Sequence, residues 1–207
     1  MPIKPADFSK YVFSAQPDYD EAAAHKEFAA LMPLRTIVIY CYDPRAAGIP
    51  GAVAETFGDV YPGDAIKDAD GNVIGTDATM LTVIVAGGRA IDALRSITVG
   101  QHLLGVQNIV VVHHTHCGAT SYTADGIIDA FRKEHGADIS DLYPRESVCI
   151  SDFQKSLDHD VRLIRRSPGT PPHADVYGYL YDIETGDLTE VVSDPAPAAN
   201  KAKGTVQ

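Results

Sequence analysis

Three short, almost unbroken apolar runs decide what this chain can fold into: Arg35 to Tyr40 (RTIVIY), Met80 to Val85 (MLTVIV) and Asn108 to His113 (NIVVVH). They are rich in β-branched residues, too short for helices, and lack regular polar alternation. That is the pattern of strands buried on both faces. Between the second and third, Ala90 to Leu104 places Ile91, Leu94, Ile97 and Leu104 at roughly helical spacing, with Gly105 where a C-cap would sit. Strand, helix, strand over this length is a βαβ unit, whose crossover makes the strands parallel. Asp175 to Val192 alternates twice around Thr185-Gly186 and reads as an antiparallel pair. The predicted class is α/β, a mostly parallel central sheet flanked by helices, with that antiparallel pair near the C-terminus.

The remaining segments are arranged around this sheet. Met1 to Pro17 reads as an arm. Tyr19 to Met32 reads as a helix capped by Asp18 or Asp20 and ended by Pro33. Pro44 to Thr79 is rich in Gly and Pro and reads as loop, with a small hairpin turning at Asp70-Gly71 that serves as a surface ear or part of a lid. Asp68, Asp70 and Asn72 do not make a calcium loop, which needs Gly at its sixth position and Glu at its twelfth. Thr120 to His135 reads as a helix ending at Gly136. A longer one, Arg145 to Arg166, carries Ile150, Phe153, Leu157, Val161 and Ile164 on one stripe, with Cys149 in its core face. The expected organisation is an arm and helix over 1–34, one α/β domain over 35–192 and a frayed tail over 193–207.

Charge and cysteine usage narrow the function classes. A net charge of -11 disfavours nucleic acid and acidic membranes as partners, and is indifferent to a small neutral substrate. The apolar runs are strand-sized, so none would cross a bilayer. Met1 to Tyr11 has no continuous apolar stretch of the kind a secretory signal needs, so a cytoplasmic location is expected. Three cysteines, an odd number, fit metal binding better than a disulfide framework.

The chemistry-bearing residues follow two of the strands. Cys41-Tyr42-Asp43-Pro44-Arg45 comes after the first, and His114-Thr115-His116-Cys117-Gly118 after the third. Ligands of an open parallel sheet bind at such carboxyl ends. Cys41, His114 and Cys117 have the softness zinc prefers, and three protein ligands is the number a catalytic zinc site keeps. Asp43 and Arg45 beside one of them suit the handling of a water at the open position. The bland reading is that Cys41 and Cys117 are small buried hydrophobes. His113 and His114 must face opposite ways on a strand, and His113 then reads as a packed residue. His116 reads as a neighbour of the ligands or as solvent-facing.

In these two segments, their order and the helix between them, the chain resembles the β-class carbonic anhydrases. It is most similar to the smaller bacterial and fungal branch with His-His-Thr-x-Cys-Gly, which includes carbonyl sulfide hydrolases. The resemblance runs from about Arg35 to Val192. It also takes in Ala86-Gly87-Gly88, Leu94-Arg95-Ser96 and Tyr181-Asp182-Ile183-Glu184-Thr185-Gly186. It implies one Zn2+ per chain on Cys41, His114 and Cys117, a catalytic dyad of Asp43 and Arg45, and a homodimer or homotetramer. The chain departs from the commoner family wording at Tyr42 and Pro44 (Ser), at His116 (Asp) and over Ile84-Val85-Ala86-Gly87 (often Arg-Asn-Ala-Gly). It has no Trp, so a bicarbonate pocket built on that residue does not carry over.

The resemblance implies zinc-dependent attack of an activated water on a small, linear, electrophilic carbon. Tyr42 and Val85 in place of polar residues predict a more apolar entrance and tilt the substrate toward carbonyl sulfide, giving carbon dioxide and hydrogen sulfide. Reversible hydration of carbon dioxide is the alternative, and a non-catalytic zinc-binding protein the second. A cysteine phosphatase would need an arginine about six residues beyond Cys117, where Thr123 stands. A thiol redox enzyme would need Cys-x-x-Cys, which is absent.

Overall fold

The computed structural model describes residues 3–198. The arm forms two short 3-10 turns, Pro5–Tyr11 and Phe13–Ala15, before helix α1, Glu21–Leu31. Asp20 caps α1, its carboxylate accepting from Ala23 N at 3.1 Å. Strand β1, Thr36–Cys41, is buried along its whole length. Helix α2, Ile49–Phe57, then occupies part of the stretch expected to be loop. Pro50 sits in its first turn and Gly58 ends it at φ 64, the usual places for those residues. The hairpin is present as β2, Ala65–Lys67, and β3, Val73–Thr76. Asp68 accepts from the backbone of Asp70 and Asn72 at 3.0 and 2.8 Å, so its carboxylate builds the turn.

Strand β4, Met80–Val85, leads through short 3-10 turns into α3, Leu94–Leu104, and then β5, Asn108–His114. Helix α4, Ala124–His135, follows. The single helix expected from Arg145 to Arg166 is two: α5, Arg145–Val148, and α6, Phe153–Arg166. Asp152 caps α6, accepting from Lys155 N at 2.9 Å, while Ile150 N donates to Ala119 O at 2.9 Å. Ile150 is therefore buried from a loop, and Cys149 is half-buried outside any helix. Strands β6, Asp175–Tyr181, and β7, Leu188–Asp194, complete the sheet. Ala196 N still donates to Asp175 Oδ1 at 2.7 Å, so residues 193–196 are held against the domain; residues 199–207 of the expected tail lie outside the described residues. Among the described residues no helix is long and apolar enough to cross a membrane.

The strand order is β4-β1-β5-β6-β7, with β7 alone antiparallel. From β1 the chain moves outward to β4, and from β5 it moves the other way to β6. Ile49, Val53 and Ala54 of α2 pack on one face with Val38 and Val110. Ile97 of α3 and Leu157, Val161 and Ile164 of α6 pack on the other with Ile37, Ile39 and Val111. Neighbouring strands whose connections leave in opposite directions open a crevice at their carboxyl ends. Here that crevice lies between β1 and β5.

Gly88 crosses this crevice. Its φ is 69, and a Cβ there would stand 2.6 Å from Val112 O and 3.2 Å from Cys41 N. Both the dihedral and the close backbone approach demand glycine. Gly88→Ala is expected to cost at least about 2 kcal/mol and to lower Tm by at least about 4 °C, measured by calorimetry.

Candidate metal centre

Cys41 ends β1, His114 ends β5, and Cys117 follows in the next turn. The structure brings the three together: all are buried, and their ligand atoms lie within 4.8 Å of one another. The two sulfurs are 3.8 Å apart and unbonded, so both are free thiols. The loop that carries Cys117 is pinned to the end of β6, with Thr115 N donating to Tyr181 O at 3.0 Å and Ile183 N to Thr115 Oγ1 at 3.1 Å.

The donor set fits a divalent metal, and the His114 ring gives the direct sign of it. Its Nδ1 lies 2.8 Å from Thr115 O, so that nitrogen carries the proton. Its Nε2 then holds a lone pair, buried and without a hydrogen-bond partner. An orphaned buried acceptor is costly, and a cation is the partner that would satisfy it. The sulfurs are in a parallel position. Burial, followed by the neighbouring Cys41, pushes the Cys117 thiol up to about 11, against a backbone N–H from Ala119. Asp43 N donates to Cys41 Sγ at 3.4 Å. Two adjacent buried thiols, in the core cluster that also holds Ala46, Ala119 and Ile150, would ionise together only with a positive ion between them.

Asp43 and Arg45 stand at the mouth. Arg45 Nε and its backbone N both donate to Asp43 Oδ1 at 3.0 Å, and the guanidinium reaches Oδ2 at 2.6 Å. The Arg45 hydrogen bonds hold the Asp43 carboxyl far below the usual carboxylate range. Arg45 also donates to His116 O at 3.0 Å, joining segments 71 residues apart. His116 itself adopts a left-handed φ of 55 and points its ring outward, 3.8 Å from Glu184. Its backbone, rather than its imidazole, takes part. In this arrangement the Asp43 oxygens are turned to Arg45 and not to the sulfurs.

Val85 stands opposite Cys41 in the parallel register of β1 and β4 and is half-buried against the core cluster that contains Ile39 and Ala90. Tyr42 is 67% exposed.

A buried network behind the site went unread in the sequence. Arg89, 2% exposed, makes a two-pronged ion pair with Asp160, 0% exposed, at 2.8 and 3.1 Å. Arg89 also donates to Cys149 O and Glu146 O, and Ala90 N donates to Asp160 Oδ2. His113 Nε2 lies 3.3 Å from the same carboxylate without hydrogen-bond alignment. The residue before His114 is thus packed against the Asp160 carboxylate of α6. The available signal was Asp160 itself, a carboxylate placed between Leu157 and Ile164 on the apolar stripe of α6.

β-carbonic anhydrase 1 of Mycobacterium tuberculosis is 32% identical over 135 residues, covering 64% of this chain and 74% of that protein. Carbon disulfide hydrolase of Acidithiobacillus thiooxidans is 28% identical over 112 residues, covering 47% of this chain and 56% of that protein. The carbonic anhydrase structure from Streptococcus mutans aligns with a TM-score of 0.58 at 23% identity, covering 93% of this chain and 100% of that one, a likeness of fold. No family model matches the chain.

Proposed function

The chain belongs to the β-carbonic anhydrase family, and on that premise we propose that it hydrolyses carbonyl sulfide to carbon dioxide and hydrogen sulfide with one zinc ion on Cys41, His114 and Cys117. The observation that carries this reading is the unpartnered, buried His114 Nε2 beside two buried thiols, with the Asp43–Arg45 pair at the mouth. Zinc held there would act as a Lewis acid, making a water nucleophilic near neutral pH.

The chain's own residues supply orientation. An ionised carboxylate can accept about four hydrogen bonds. Arg45 takes three of those places on Asp43, two on Oδ1 and one on Oδ2. One place on Oδ2 is left to accept from the attacking water and aim its lone pair at the substrate carbon. Arg45 keeps Asp43 ionised for that task and, through His116 O, fixes it relative to the loop of Cys117. The water oxygen adds to carbon, the C–S bond breaks, and sulfide leaves with the protons of the water. An uncharged substrate meets no charge penalty beside the apolar residues that cluster with Cys41 and Cys117.

Support for this substrate is chemical. Carbonyl sulfide shares one end with the substrate named for the carbon disulfide hydrolase and the other with carbon dioxide. The second reading, carbon dioxide hydration as the main activity, is favoured by the 32% identity to a carbonic anhydrase. A size and polarity difference of one atom is worth about 1–3 kcal/mol of discrimination, so both activities can coexist. Side-by-side assays at matched substrate are expected to give faster sulfide release than carbon dioxide hydration; hydration far in excess reverses the order. Asp43→Asn is expected to lower either turnover by about 10²–10⁴-fold while zinc content stays unchanged. Zinc retained in a parent with neither activity would instead mark a binding protein.

A reducing, cytoplasmic setting belongs to the same reading, because the site needs free thiols. So does a homodimer or homotetramer. Strand β4 is an edge without a single charge and exposes Ile84, a surface that invites pairing.

A further inference from the structure

A second set of ligand atoms is assembled between two helices, away from the sulfurs in sequence and in element. Glu21 opens α1, His25 follows one turn later on the same side, and His102 lies in the last turn of α3. Glu21 Oε1 is 3.2 Å from His102 Nε2 and 3.8 Å from His25 Nε2. The two imidazoles meet edge to face, with centroids 4.6 Å apart at 86°. All three ligand atoms fall within 4.8 Å of one another. We propose that Glu21, His25 and His102 form a second site for a divalent transition cation, zinc by their chemistry, which fastens α1 to α3.

The geometry is close to what such an ion needs. Bonds of about 2.0–2.1 Å in a tetrahedron place ligand atoms roughly 3.3 Å apart. The 3.2 Å pair fits already, and a small side-chain rotation closes the 3.8 Å one. Two imidazoles and a carboxylate are a zinc-type donor set, and water would complete it. The side chain of His25 is 25% exposed and those of Glu21 and His102 are each 61% exposed, so an ion has a way in. One divalent ion serves both imidazoles at once. The carbonyl end of α3 and the chain's net charge of -11 add attraction for it.

The consequence is mechanical. Helix α1 has no fully buried residue, so packing alone seats it weakly on the domain. A metal bridge to α3 supplies a tether that turnover does not require.

The test is equilibrium dialysis of the full chain against buffered micromolar zinc, followed by elemental analysis and amide hydrogen exchange across α1. Two zinc ions per chain are expected for the parent protein and one for His102→Ala, with turnover unchanged. The remaining site of Cys41→Ser should still take up one. Loss of one ligand should weaken the second ion at least about tenfold. Zinc should slow exchange in α1 of the parent and leave His102→Ala unaffected. A parent that binds a single zinc overturns the proposal, as does a second zinc that survives both His102→Ala and His25→Ala. An α1 whose exchange ignores zinc overturns the tether.

Discussion

Cys41→Ser is expected to lose the tightly held zinc and at least about a thousandfold of turnover, with the fold intact. Serine is nearly isosteric, so the end of β1 should keep its register with β4 and β5. What changes is the donor. A hydroxyl does not ionise near neutral pH and is a poor partner for a borderline-soft cation. Cys41 is 3% exposed and its sulfur sits 3.8 Å from that of Cys117, so the substitution removes a donor from the centre of the ligand set. His114→Ala should behave alike, since it removes the orphaned Nε2. Elemental analysis after dialysis, together with circular dichroism and both gas assays, checks the outcome. Full turnover in a folded, zinc-free Cys41→Ser protein would remove the metal from the account.

Asp160→Asn is expected to cost about 3–5 kcal/mol, because it strands the Arg89 guanidinium in the interior without its counter-charge. For a chain of this size that lowers Tm by roughly 6–20 °C. The burial of both partners makes the pair sensitive, and the three further donations around it make it a junction: Arg89 to Cys149 O and Glu146 O, Ala90 N to Asp160. Replacing both together, Arg89→Met with Asp160→Leu, should recover much of the loss, since no lone charge then remains buried. Burial opposes ionisation of Asp160, but His113 and Arg89 outweigh it and hold the carboxyl below its ordinary value. Its contribution to stability is therefore complete above the unfolded carboxylate pKa of about 3.9 and is lost as pH falls through the lower folded value. Acid unfolding curves of the parent and of Asp160→Asn should converge in that range.

The sheet and the metal-ready triad were legible because each rests on local signals. Uninterrupted β-branched runs announce buried strands, and the softness of Cys41, His114 and Cys117 at the ends of two such runs marks them as a candidate ligand set. The misreadings have equally definite causes. In α2, Pro50 and Gly58 look like helix breakers in a Gly-rich stretch, yet they occupy the first turn and the C-cap, where helices favour them. Between α5 and α6 the apolar period runs on through Ile150, but Arg89 and Ala119 take up the backbone groups of residues 146–150 and the helix breaks. Arg89 and Asp160 find each other across 71 residues, a pairing that no local pattern reveals.

The account's central claim is that two sulfurs and one imidazole hold a single zinc. Zinc-edge X-ray absorption of the His102→Ala protein carrying one ion per chain tests it most directly. Two sulfur scatterers near about 2.3 Å with lighter atoms at about 2.0–2.1 Å are expected. A shell of nitrogen and oxygen alone would contradict it.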